Sequence, residues 1–329
     1  MPVYQVKHYL EKSISSLLSN SEARIIIIDD GSTDGSAELA DVLAEGNGRI
    51  TVFHQENGGV SAARNKGLEL ASADYIAFAD PDDFAAEGYY SRLLEKMLAE
   101  KADLAFGSFT RRYENGEEAP ADEQGFGSLP ESFKDFSLYI TDYESSQSAV
   151  MGAVWRCIFK RDIIEKNSLR FNEHIHLSED LFFLLSYISC CESCCTADDY
   201  GYYYLVRSSS ASAESYKKEL FENRCECIAD LRKCLDANGF MTPEQKHTVL
   251  WRAQYIFSYE CISNEMRFNK NAAAAIDDFI ERGFCDALLT EDAVRLAERE
   301  NKSKKIPLIL KLCRAKKTNA IKLIYSLKK

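Results

Sequence analysis

The sequence predicts an α/β fold: a mostly parallel sheet flanked by helices, followed by a C-terminal helical extension. Three observations predict it. Short apolar segments of strand length alternate with longer amphipathic segments through the first hundred residues, the order of a parallel sheet covered by helices. Strand candidates run directly into loops of Asp and Gly, which places polar groups at the carboxyl edge, where open α/β sheets bind ligands. From about Ala213 the strand signals give way to helix signals, so a first domain is expected over 1–212 and a helical extension over 213–329.

Taken in order, Val6, Tyr9, Leu10, Ile14, Leu17 and Leu18 form a helical stripe over Val6–Leu18. Arg24–Ile28 reads as a buried strand. It enters Asp29-Asp30-Gly31-Ser32-Thr33-Asp34, whose Ser, Thr and Asp are candidate caps for a helix through Ala44. Ile50–His54 is a short strand, Asn57-Gly58-Gly59 a turn, and Val60–Ala71 a helix. The strand Ile76–Ala79 then delivers Asp80, Asp82 and Asp83. A helix over Glu87–Lys101 and a strand over Asp103–Tyr113 follow, and Asn115–Leu129, rich in Gly, Glu, Pro and Asp, reads as a surface loop or lid. Beyond it, Gly152–Phe159 predicts a strand, Arg161–Asn167 a short helix, Asp180–Cys191 a longer helix and Tyr200–Val206 an aromatic strand. In the extension, Thr242-Pro243-Glu244-Gln245 is a capping box with Pro at the first helical position, after a C-cap at Gly239.

The chain has 329 residues and 46% hydrophobic and 28% charged side chains, the balance of a soluble globular protein. Its net charge of -12 argues against general nucleic-acid binding, which would want excess Lys and Arg for phosphates. No apolar run reaches the roughly 20 residues that span a bilayer, and the N-terminus has no signal-peptide pattern, so a cytoplasmic location is expected. Eleven cysteines without an export signal point to reduced thiols. Cys190, Cys191, Cys194 and Cys195 are too close in sequence to wrap a tetrahedral zinc and are expected to pack as small apolar residues. His174 and His176 have no third ligand in reach by sequence. From Asn301 onward there are ten Lys or Arg and no acid, interleaved with Leu and Ile, a pattern suited to peripheral docking on the inner, anionic face of the cell membrane.

Chemistry concentrates at the strand ends. Asp80, Asp82 and Asp83 fall within four positions; like charges so close raise one another's pKa values unless a cation compensates them, and a hard divalent ion suits carboxylate oxygens. If the strands are neighbours, Asp29, Asp30, Gly58, Gly59, Arg64, Lys66 and this acidic triplet converge on one edge. Carboxylates would take base and ribose hydroxyls, glycines would let a ligand approach the backbone, and acids would hold a metal against a diphosphate. A nucleotide is the ligand these groups fit together. The phosphate-loop and dinucleotide fingerprints are absent.

Pro2-Val3-Tyr4, the Ile-rich strand into D-D-G-S-T-D, E-N-G-G-V-S-A-A-R-N-K-G-L and Y-I-A-F-A-D-P-D-D closely resemble the family 2 glycosyltransferases, inverting enzymes of the Rossmann-like GT-A fold. Ser178-Glu179-Asp180 and Tyr202-Tyr203-Tyr204 followed by Arg207 and Ser210 resemble the same family's acceptor half. The resemblance implies transfer of a single sugar from a nucleotide-diphospho-sugar, a UDP-sugar, to a saccharide or lipid-linked acceptor in cell-surface glycan synthesis. It assigns Pro2, Tyr4, Asp29 or Asp30, Gly58, Arg64, Lys66 and Asp80 to the nucleotide, Asp82 with Asp83 to Mg²⁺ or Mn²⁺, Asp180 to the general base, and Glu179, Trp155 and Arg207 to the acceptor side. Three positions depart from the family. Met1 stands directly before Pro2, so the domain is expected to lack its first strand; Gln5 replaces Asn, and Leu205 replaces Arg. The competing expectation is a truncated, inactive relative that serves as a binding or scaffold protein.

Overall fold

The computed structural model describes residues 1–19, 23–120, 133–136, 153–207, 216–301 and 304–326. One compact unit comprises Met1–Phe133 with Gln147–Ala211, and a second comprises Lys134–Ser146 with Ser212–Lys329. The first unit opens with β1 (Pro2–Val3), α1 (Lys7–Leu18), β2 (Ile25–Asp29), α2 (Ser36–Ala44), β3 (Ile50–His54) and α3 (Val60–Leu70). The three strands pair in that order, all parallel, with Val3 opposite Asp29 and Asp29 opposite His54. Ile25, Ile27 and Ile28 are buried, as an apolar strand covered by helices must be. The residue before α2 is Gly35, at φ 90, rather than one of the three expected caps. Asp34 still does the capping from one position further out, because its carboxylate accepts the Ser36 amide at 3.0 Å and the Ser36 hydroxyl at 2.6 Å.

A second sheet is mixed. It contains β4 (Tyr75–Ala77), β5 (Phe84–Ala85), β6 (Leu104–Tyr113), β7 (Glu118–Pro120), β8 (Cys157–Lys160) and β9 (Cys194–Val206), with α4 (Tyr89–Glu100) between β5 and β6. The order is β4-β8-β6-β9-β5 with β7 beside β6; β6 and β9 run parallel and the other pairs antiparallel. Gly107 sits where a Cβ would lie 2.0 Å from the Tyr89 hydroxyl, so the absence of a side chain lets Tyr89 donate to the Ser108 carbonyl at 3.1 Å. Two expectations are corrected. Residues Val154–Arg156 form a 3-10 turn ahead of a four-residue strand, and β9 begins at Cys194 because the cysteine pair joins the ladder beside Leu104 and Ala105. All eleven cysteines are free, with Cys191 and Cys195 buried.

At the start of the chain the residues Pro2–Val3 pair as the two-residue strand β1. The Met1 ammonium donates to the Ile26 carbonyl at 2.9 Å, and the Met1 carbonyl accepts the Ile28 amide at 2.9 Å. Among the described residues β4 pairs with β8 alone, so β1 and β4 are not joined and the sheet stands in two pieces. Of the expected lid, positions 121–129 lie outside the described residues, as does Ser210.

The second unit is helical. Thr242 caps the helix Pro243–Phe268 with both halves of the expected capping box, and Asn238 rather than Gly239 is the C-cap of Leu220–Ala237. In the basic tail, helices Lys305–Arg314 and Thr318–Ser326 bury Ile309, Leu310, Cys313 and Ile321. The apolar stripe therefore serves the unit's own core, leaving Leu308 and Leu323 exposed. No helix among the described residues is long and apolar enough to cross a membrane.

Candidate active site

The site starts from an aromatic cluster. Phe78, just past β4, meets Phe159 of β8, Phe171 and Phe183 edge-on at 5.7, 5.1 and 5.5 Å, and Phe171 stacks on Phe183 at 4.1 Å. Phe183 belongs to the helix Glu179–Cys190. These contacts fix the end of β4, which carries Asp80, against the start of that helix, which carries Asp180. The helix follows Ser178 at φ 75, a left-handed conformation that is uncommon outside Gly.

Arg64 of α3 joins the two. Its side chain is 4% exposed. One guanidinium nitrogen, Nη2, donates to Asp80 Oδ1 at 3.1 Å, while Nη1 donates to Glu179 Oε1 at 2.9 Å and to Asp180 Oδ1. A planar fork with fixed donors can satisfy several carboxylates at once, which an ammonium does less well. Among the described residues Arg64 Nε is buried without a hydrogen-bond partner. The next residue, Asn65, repeats the connection: its amide donates to the Phe171 carbonyl at 2.9 Å and to Glu173 at 3.0 Å, and its carbonyl accepts the Phe171 amide at 2.8 Å. Arg64 was expected at a phosphate; the structure instead turns it inward as the common counter-ion of three carboxylates. Burial pushes the Asp180 carboxyl pKa well above the usual range against the pull of Arg64, and Glu179 and Asp80 add to the rise. Burial, then the Arg64 charge, lowers the Met1 ammonium to about 5.

Asp82 and Asp83 point to different places. Asp82 Oδ2 accepts from Arg207 Nη2, and Arg207 also lies 5.0 Å above the Tyr9 ring. Asp83 is 2% exposed; its oxygens accept the Tyr202 hydroxyl and the Leu205 amide, each at 2.8 Å. Asp83 was expected beside a metal; here both of its oxygens lock β9 onto the turn after β4. Among the described residues no three His, Cys, Asp or Glu side chains cluster as a metal cage. A hard divalent cation still fits at Asp82. That carboxylate already takes a positive partner, and burial with the Asp80 charge pushes its pKa up, the sign that added positive charge is favoured there.

At the end of β2 the carboxylates are held by other means. Asp30 accepts Gln55 Nε2 at 2.8 Å and the Gly58 and Gly59 amides at 2.9 and 2.8 Å. Asp29 accepts the Ser32 amide at 3.1 Å and faces His54 Nδ1 at 3.0 Å. Gly58 was expected to leave room for a ligand; its amide is committed to Asp30. Pro2 is buried in β1, and Tyr4 behind it is 50% exposed. Lys66, two residues on from Arg64, faces a different way, pairing with Glu69 at 2.9 Å and lying 4.8 Å from the Phe53 ring. Trp155 was expected on the acceptor side. It is 4% exposed, stacked on Tyr202 at 4.3 Å and on Tyr204 at 5.6 Å, so it packs the core behind the aromatic strand.

Residues 1–167 match the family model described as Glycosyl transferase family 2. The chain is 30% identical over 228 residues to the uncharacterized glycosyltransferase EpsJ of Bacillus subtilis (strain 168), covering 68% of this chain and 64% of EpsJ. It thus spans just under two thirds of that relative's length. Its fold matches S. aureus TarS 1-349 with a TM-score of 0.69 at 16% identity, over 99% of this chain and 88% of that one; TarS 1-349 in complex with UDP-GlcNAc matches at 0.68. The mannosyltransferase PcManGT from Pyrobaculum calidifontis, in complex with GDP-Man and Mn2+, matches at 0.51 and 13% identity, over 99% and 86%. The architecture is the GT-A fold.

Proposed function

We propose, from the premise that this chain belongs to glycosyl transferase family 2, that it transfers one sugar from a UDP-sugar to a hydroxyl of a saccharide or lipid-linked acceptor, with inversion, in surface polysaccharide synthesis. The observation that carries the reading is Arg64 holding Asp80 and Asp180, 100 residues apart in sequence, around one point. A donor-side and an acceptor-side carboxylate are needed on either side of a single displacement, and this contact brings two such groups together. Asp180 is the general base. A carboxyl whose pKa is raised takes a proton more readily than an ordinary one, which suits abstraction from an attacking hydroxyl. Arg64 keeps that carboxylate oriented. Asp80 takes the ribose and the Asp29–Asp30 loop with Tyr4 the base. Asp82 would hold Mg²⁺ or Mn²⁺, which when bound neutralises the leaving diphosphate as a Lewis acid. Arg207, paired with Asp82, would supply a further positive charge there.

The donor class draws support from the UDP-GlcNAc complex of TarS, and the use of a divalent ion from the PcManGT complex. We place the reaction on the cytoplasmic side, with membrane contact through Leu308, Leu323 and the basic residues beside them. The test is donor hydrolysis across UDP-, GDP- and dTDP-sugars with Mn²⁺, in the native chain and in Asp82→Ala. Hydrolysis confined to UDP-sugars and lost in Asp82→Ala is expected. Hydrolysis undiminished in the variant would remove Asp82 from its role, and no turnover or UDP binding by the native chain would favour a scaffold.

A further inference from the structure

We propose that the pocket whose wall includes Asp82 binds an oxyanion, phosphate or carboxylate, carried by the acceptor. The pocket has a volume of about 360 Å³ and is lined by Tyr9 and Lys12 of α1, Phe84 of β5, and Arg112 and Tyr113 at the end of β6. That volume is at the small end of ligand sites, roughly 300–1,000 Å³, enough for one substituted sugar.

Its chemistry is set by two cations gathered on one ring. The Lys12 ammonium lies 3.6 Å from the Phe84 centroid and the Arg112 guanidinium 5.4 Å from it. Phe84 is held by stacking on Tyr203 at 4.7 Å, so the platform is fixed. The Lys12 pKa is lowered, first by partial burial and then by the Arg112 charge, with Glu118 opposing the shift. Two carboxylates of the lining are engaged, Asp82 by Arg207 and Asp83 by Tyr202 and Leu205, and Glu118, outside the lining, pairs with Arg112 at 2.7 Å. Glu114 stands at the wall as well. Among the described residues Lys12 forms no ion pair. An oxyanion between Lys12 and Arg112 would relieve their repulsion, and the guanidinium offers it paired donors. Because Asp82 forms part of the same wall, the bound group would stand next to the proposed donor diphosphate. This inference therefore rests on the donor reading above, and its test keeps the two apart.

The test is calorimetric titration of the full-length chain with glycerol phosphate and with glucuronate, and separately with UDP and Mn²⁺, for the native protein, Lys12→Gln and Arg112→Gln. Lys12 is exposed, so Lys12→Gln keeps the fold. Each substitution is expected to weaken binding of the anionic probe about fivefold or more, the usual loss of a charge-assisted contact, while UDP affinity stays within about twofold. Tighter glycerol phosphate marks a phosphate acceptor and tighter glucuronate a uronic acid. Failure of both probes to bind, or unchanged binding in both variants, overturns the inference. An equal loss of UDP affinity would assign the pocket to the donor and also overturn it. If the probes bind as expected but UDP does not bind at all, the donor reading fails while the anion site stands.

Discussion

Asp30, at the end of β2, and the carboxylates Asp80, Asp82 and Asp180, gathered near the end of β4, are stabilised in opposite ways. Asp30 is satisfied by neutral donors, an amide side chain and two backbone amides. Asp80, Asp82 and Asp180 are satisfied by the guanidinium groups of Arg64 and Arg207. Neutral donors built into a loop fix shape and leave nothing to exchange. A cation can be traded for another cation, or for a proton, with little rearrangement of the carboxylate it leaves. Asp30 is therefore part of a mould, whereas the carboxylates held by Arg64 and Arg207 can exchange their counter-charge.

That contrast is best broken at its hub. Arg64→Met leaves Asp80, Glu179 and Asp180 without their counter-ion, and removing one partner of a buried ion pair costs about 3–5 kcal/mol. Chemical denaturation should show a loss of that size. Part of it should return in the double variant with Asp180→Asn, because residues sharing one network do not add. Full additivity would mean that Arg64 and Asp180 act independently. At the mould the effect is smaller. Asp30→Asn keeps the shape but turns an amide toward backbone donors, and an unsatisfied buried partner costs about 1–3 kcal/mol. The loss should appear in stability and UDP affinity together, with no recovery from Asp180→Asn.

Much of the frame was legible in the residues. The Ile-rich run read directly as β2, and Ile50–His54 as the short strand β3, because an apolar run is a local signal. Thr242 and Gln245 announced their helix start because capping is local too. What stayed hidden depended on direction. Arg64 and Lys66 look equivalent in sequence, yet two residues on a helix face apart, and the one facing inward meets acids from Asp80 and Asp180. Asp82 and Asp83 are adjacent, yet a turn sends one to Arg207 and the other to Tyr202. The signal that could have marked Arg64 is the pair Arg64-Asn65 on the buried side of α3, where a charge requires a partner. Nothing in the sequence told Trp155 as a sugar platform from Trp155 as core.

The central claim is that the charge-compensated edge is the reaction centre and Asp180 its base. Its most direct test is the pH profile of sugar transfer in the native chain, measured beside Asp180→Asn with UDP affinity followed in parallel. Because the folded protein raises the Asp180 carboxyl pKa, and the base must be ionised to act, transfer should fall as pH drops through a limb lying above the ordinary value of about 4. Asp180→Asn should lose about 10²–10⁴-fold in turnover while UDP binds as before. Turnover that survives the substitution with the same acid limb would contradict the account.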